Sequence, residues 1–147
     1  MKSRMNINEA EPRIYQVMAV ADKHIKEFAI EAKLKELIKV RVSQINGCAY
    51  CIDYHSNDAL ALGETAQRLL TLSAWWESPF FSDEERAALK LAEEVTRIYK
   101  HGVSDETYEQ ALKFFGKQGV AQLIFIAITI NSWNRIAIPV HMVIGVD

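Results

Sequence analysis

Residues 34–55 read LKELIKVRVSQINGCAYCIDYH. Leu34, Leu37, Ile38, Val42 and Ile45 recur at three- and four-residue steps, the spacing of one helical face. Asn46-Gly47 stops that helix, since glycine accepts the left-handed conformation in which helices end. Cys48 and Cys51, the only cysteines of the chain, then open a further helix expected over about residues 49–62, with Gly63 just past its end. Cys48 is expected at or just before that N-terminus and Cys51 within the first turn. There, unpaired backbone N–H groups and the helix dipole favour a negatively charged sulfur. Two thiols three residues apart can close a disulfide, and His55, four residues after Cys51, lies on the same helical face. The cluster therefore holds two sulfurs and one group that exchanges protons near neutral pH.

Outward from this cluster the helical period persists. Ile14, Val17, Met18, Ala21, Ile25 and Phe28 mark a helix that Pro12 starts. A short helix is expected over 64–75 with Thr65 as cap, followed by a loop over 76–82 around Pro79. Ser82-Asp83-Glu84-Glu85 is a capping box ahead of a helix lined by Ala87, Ala88, Leu91, Val95 and Ile98 and closed by His101-Gly102. Ser104 caps the next helix, with Asp105 and Glu106 in its first turn. Gly116 and Gly119 are expected to bracket a turn before an apolar helix over 120–131. Leu123–Ile130 is rich in β-branched residues, but no second strand pairs with it, so helix is the better reading. The expected architecture is an all-α bundle forming a single domain over residues 1–147.

Length and composition bound the function. The 147 residues suit one domain, half of them are apolar, and the formal net charge is −2. That balance offers no basic footprint for nucleic acid or an anionic membrane. The longest apolar stretch, 120–130, is about half the roughly 20 residues of a spanning helix. No targeting signal is apparent, and a cytoplasmic location is the default expectation.

Alternatives remain for individual residues. Cys48 and Cys51 could be two small buried hydrophobes, although helix ends are seldom deep core. They could instead join His55 in a zinc site, with Asp53 or His24 as the missing fourth ligand. Glu36 lies nearly opposite the Leu34–Ile38–Ile45 stripe, so periodicity alone assigns it to a solvated face. Trp75, Trp76, Phe80 and Phe81 read as a loop packed on the core, or else as a hydrophobic substrate mouth or subunit contact. Asn131-Ser132-Trp133-Asn134-Arg135 reads as a polar knot that caps the last apolar helix and holds a turn, or as a wall of the active-site pocket. His24, His101 and His141 receive no role.

The stretch from Leu34 to about Glu94 resembles the alkylhydroperoxidase D / carboxymuconolactone decarboxylase family. Its motif is a glutamate, eleven residues, then Cys-x-x-Cys-x-x-x-His, met here by Glu36, Cys48, Cys51 and His55 together. Ser43–Gly47, Gly63-Glu64-Thr65 and the segment from Ser73 to Ser82 fit the same pattern. The resemblance implies an all-α protein assembling as homo-trimers or homo-hexamers. It implies reduction of peroxides with electrons from a lipoyl protein or similar external thiol donor, without a cofactor or a metal. Carried over, Cys51 attacks the peroxide, Cys48 resolves the sulfenic acid, and His55 and Glu36 form a proton relay. Tyr50 stands where alkylhydroperoxidase D proper has a relay histidine, and a phenol of pKa about 10 is a poor proton shuttle at neutral pH. Two other functions stay open: a dithiol redox sensor without turnover, and the family's decarboxylase activity, whose members lack the cysteine pair.

Overall fold

The structure, a computed structural model, describes residues 2–145. Its helices are α1 (Ile7–Ala10), α2 (Pro12–Glu27), α3 (Ala32–Asn46), α4 (Ala49–Ala61), α5 (Ala66–Thr71), α6 (Asp83–Thr96) and α7 (Asp105–Val140), with a 3-10 turn at Leu72–Ala74. Among the described residues there is no strand, so the all-α expectation holds. Pro12 is in the first turn of α2, Ser82 and Glu85 complete the capping box of α6, and Ser104 caps α7. Each cap satisfies amide groups that a helix start leaves unpaired.

Helix α3 is the centre of the bundle, packed against α4, α6 and α7. Leu34, Leu37, Ile38, Val40 and Val42 are buried, but so are Lys35, Glu36, Arg41 and Ser43. A charged side chain can be buried only when its polar atoms find partners, and each of these does. Lys35 Nζ donates to the carbonyls of Lys26 and Phe28 at 3.1 and 2.7 Å, closing the end of α2. Arg41 Nε donates to Glu93 Oε1 at 2.6 Å, and Trp75 Nε1 donates to the same oxygen at 2.8 Å. Ser43 Oγ accepts from Asn134 Nδ2 at 2.9 Å.

Helix α7 differs most from expectation. The chain does not turn between Gly116 and Gly119. It breaks at Gly116 alone, where φ is 63°, and resumes at once with Gly119 buried inside the helix. A glycine takes that left-handed φ without the Cβ clash other residues meet. The helix then runs past residue 131 to Val140, so Asn131–Arg135 is helix interior rather than a cap. Asn131 Nδ2 and Ser132 Oγ donate to carbonyls one turn back, at 2.9 and 3.0 Å, and so do not compete with the helical amides. By length and composition α7 could cross a membrane, which removes the argument from a short apolar run. What places it in the core is its packing: Val120, Leu123, Ile126, Ala127, Ile130 and Ala137 are all buried.

The other differences are at element ends. The short helix is α5 followed by the 3-10 turn, and α6 ends at Thr96, leaving Ile98 outside it and exposed. The aromatic loop divides: Trp75 and Phe81 are buried, Trp76 and Phe80 exposed. At the far end of α7, the Arg4 backbone N–H donates to the Val140 carbonyl at 2.9 Å and its guanidinium to the Pro139 carbonyl at 3.1 Å.

Asn134 is fully buried and links two helices. Asn46 Nδ2 donates to Asn134 Oδ1 at 2.8 Å and to Asn131 Oδ1 at 2.9 Å, while the Ser43 carbonyl accepts the Cys48 N–H at 3.0 Å. The polar knot does hold a turn, the one between α3 and α4, but it does not cap the helix, which runs on through it. Asn134→Ala would strand the Ser43 hydroxyl and one bond of Asn46. Chemical denaturation is expected to show a loss of about 1–3 kcal/mol. A loss below about 0.5 kcal/mol would mean water replaces these bonds without cost.

Candidate redox site

The site begins at the end of α3. Gly47 adopts φ 72° and turns the chain by about one residue, so α4 starts immediately and packs against α3. Cys48 is the N-cap of α4, and its Sγ accepts the Cys51 backbone N–H at 3.4 Å. The two sulfurs are bonded to each other as a disulfide, with the Cα atoms 5.4 Å apart. Spacing and helix start therefore act as expected.

Their burial does not. Cys48 is 1 % and Cys51 4 % exposed, and both belong to the main core cluster. The expectation that a helix start keeps them out of the deep core is corrected. The reversal at Gly47 folds the start of α4 back onto the buried α3, so this helix end is interior. The reading as two independent buried hydrophobes also fails, because the sulfurs share a bond. While bonded they offer no thiolate to a metal; a cysteine-ligated zinc would require the reduced pair.

Glu36 is 8 % exposed and faces α4, contrary to its helical angle relative to the apolar stripe. The angle misleads because α3 packs against three helices, α4, α6 and α7, and not against one. Glu36 Oε2 lies 2.8 Å from His55 Nδ1, and Glu36 Oε1 accepts from Lys39 Nζ at 2.7 Å. A carboxylate only accepts, so His55 Nδ1 carries the hydrogen of this bond. Burial pushes the Glu36 carboxyl up. The His55 hydrogen bond and the Lys39 charge outweigh it, and the net effect holds the group below its ordinary value of 4.5.

That direction sets a pH dependence. A carboxyl whose folded pKa is depressed adds stability above its unfolded pKa and loses it as pH falls through the folded value. Glu36→Gln should therefore flatten the acid limb of the melting temperature between about pH 5 and pH 3. If melting temperatures of variant and wild type fall in parallel over that range, Glu36 is not ionised in the folded protein.

A cavity of about 580 Å³ lies beside this pair, between α2, α3, α4 and the later part of α7. Glu36 and His55 line it, with Tyr15, Tyr50, Tyr54 and Trp133 supplying aromatic walls. Tyr54 meets the His55 ring edge-on at 5.1 Å, and Trp133 Nε1 donates to Asp22 at 3.0 Å. Neither cysteine lines the cavity, nor do Trp75, Trp76, Phe80 or Phe81, so these four aromatic residues do not form its mouth. Of residues 131–135, Trp133 serves as pocket wall, the second of the two readings above.

The structure bonds Cys48 to Cys51 and places Glu36 against His55, while Lys39 and Asp22, which sequence reasoning did not single out, join the same region. The available signal for Lys39 was its position three residues after Glu36 on one helix. Asp22 and Trp133 are 111 residues apart, and no local pattern joins them. Glu36, His55 and Asp58 also bring three potential metal-ligand atoms within 4.8 Å of one another. The Lys39 ammonium already occupies Glu36, so an added cation would have to displace it. His24, considered as a zinc ligand, pairs instead with Glu27 at 3.8 Å, with both side chains exposed.

Comparison with known proteins agrees with the fold and the family resemblance. The family model for the carboxymuconolactone decarboxylase family matches residues 14–94, more than half of the chain. The uncharacterized protein YdfG of Bacillus subtilis is 44 % identical over 138 residues, covering 94 % of each chain. A crystal structure from Agrobacterium tumefaciens, of a protein of unknown function described as a candidate AhpD antioxidant defence protein, superposes with a TM-score of 0.95 at 31 % identity. It covers 99 % of this chain and 100 % of that one. The debrominase Bmp8 shares the fold at 20 % identity, with a TM-score of 0.84 over 94 % of this chain and 74 % of its own. With its all-α AhpD-like fold and its cysteine pair, this chain belongs to the carboxymuconolactone decarboxylase family.

Proposed function

We propose that the protein is a thiol-dependent oxidoreductase that reduces peroxides through a dithiol–disulfide cycle at Cys48 and Cys51. One observation carries this reading: a bonded sulfur pair at the start of α4, with His55 one turn along the same helix and hydrogen-bonded to Glu36 of α3. In the reduced form the Cys51 thiolate attacks one peroxide oxygen. The S–O bond forms, the O–O bond breaks, and the leaving alkoxide takes a proton from the His55 imidazolium. Cys48 as thiolate then attacks the Cys51 sulfenic acid. The S–S bond forms and the S–O bond breaks, and the hydroxide leaves as water after protonation. One peroxide is reduced by two electrons and one dithiol is oxidised. An external thiol donor, a lipoyl protein or similar dithiol, returns the electrons by thiol–disulfide exchange.

Association into trimers or hexamers belongs to the same proposal. α2 buries only Ile25 of its sixteen residues and leaves Val17 and Val20 exposed, and α7 exposes Phe125 and Ile128. Exposed apolar side chains on two helices favour association.

Burial of both cysteines favours a second reading, a redox sensor whose disulfide forms once. The deciding experiment follows consumption of hydrogen peroxide and an organic hydroperoxide with lipoamide, thioredoxin and glutathione as donors. Sustained turnover with any donor supports the peroxidase. One disulfide per chain and no turnover with each donor supports the sensor. Thiols that stay reduced under excess peroxide exclude both.

A further inference from the structure

The Glu36 carboxylate is held from both sides. Its Oε1 accepts from Lys39 Nζ at 2.7 Å and its Oε2 meets His55 Nδ1 at 2.8 Å, and all three side chains are largely buried. We propose that Lys39 is a positioning residue of the relay: by occupying Oε1 it keeps Glu36 an acceptor toward His55 and so sets which ring nitrogen carries the proton. The inference rests on the thiol-oxidoreductase reading above.

With Nδ1–H committed to Glu36, the neutral ring presents Nε2 unprotonated. That is the nitrogen able to take a thiol proton and, as imidazolium, return it to a leaving oxygen. Lys39 touches neither sulfur and acts only through Glu36. Without it, a buried carboxyl with a single hydrogen-bond partner favours its neutral form. A protonated Glu36 donates rather than accepts. It then pairs with an unprotonated Nδ1, moves the ring proton to Nε2 and leaves no base for the thiol. The other charged groups near this pair are Lys35 on α3, Asp58 on α4, and Asp22 and Lys26 on α2. Asp58 Oδ2 is 4.0 Å from His55 Nδ1, beyond hydrogen-bond reach, and Lys35 is engaged by two carbonyls, so neither duplicates Lys39.

The test reads the His55 ring directly. Nitrogen-15 spectra of the disulfide form are compared for wild type, Lys39→Met, Lys39→Arg and Asp58→Asn across pH 5 to 8. Wild type, Lys39→Arg and Asp58→Asn are expected to hold the Nδ1–H tautomer, and Lys39→Met to shift toward Nε2–H. In parallel, the rate of Cys51 oxidation by hydrogen peroxide in Lys39→Met should fall off at higher pH. The displacement expected is about one unit, which is about tenfold at the foot of the acid limb, with Lys39→Arg restoring it. An unchanged tautomer in Lys39→Met, or an Asp58→Asn variant that changes it, overturns the proposal. If wild type proves inert to peroxide, the peroxidase reading fails, and the tautomer in the disulfide form still decides the role of Lys39.

Discussion

Cys51→Ser is expected to lower the rate of peroxide consumption at least about a thousandfold, the scale seen when a nucleophile is removed from an enzyme. Cys48→Ser should behave differently. It still reacts once with peroxide, and the Cys51 sulfenic acid persists because no second sulfur resolves it; mass spectrometry after a sulfenic-acid trap detects it. Geometry makes this a real contest between the two sulfurs. Cys48 Sγ accepts the Cys51 amide at the helix start, an arrangement that favours a thiolate at position 48. His55 lies one turn beyond Cys51, an arrangement that favours proton exchange there. If Cys51→Ser traps a sulfenic acid and Cys48→Ser is inert, the two roles are exchanged. Both sulfurs are buried, so attack also requires local opening of the α3–α4 turn or approach through the neighbouring cavity. A rate limited by opening saturates at high peroxide concentration, whereas direct encounter leaves it linear.

The second large effect concerns stability. Glu93→Ala is expected to cost about 3–5 kcal/mol in chemical denaturation. Glu93 Oε1 accepts from both Arg41 Nε and Trp75 Nε1, and Arg41 and Glu93 are largely buried. Removing the carboxylate leaves a guanidinium inside the bundle with only Gln44 at 3.3 Å and the face of Trp76 at 5.9 Å for company. It also strands the Trp75 indole N–H. Against a typical total of about 5–15 kcal/mol, this is enough to unfold a marginal domain. Replacing both partners together, Arg41→Met with Glu93→Leu, should recover most of the loss, since the cost comes from an uncompensated charge. A single-variant loss of about 1 kcal/mol or less would mean that water reaches Arg41.

These two experiments probe opposite faces of α3, and that helix marks where local reading stops. Its start, its stop at Gly47, the N-cap position of Cys48, the capping box at Ser82 and the cap at Ser104 depend on residues within one helical turn. Such features are written in adjacent residue types, and the sequence alone determined them, together with the all-α class and the cysteine–histidine spacing. Burial of Lys35, Glu36, Arg41 and Ser43 was not written there. A helical wheel assigns charges to water unless partners exist, and their partners come from remote positions: His55 is 19 residues from Glu36, Glu93 is 52 from Arg41, and Asn134 is 91 from Ser43. Only the packing of α4, α6 and α7 around α3 brings those groups within hydrogen-bond distance. The same packing made interior a helix start expected nearer the surface. It also carried α7 through Asn131–Arg135, because polar side chains that could have ended the helix found acceptors on their own backbone and across the bundle.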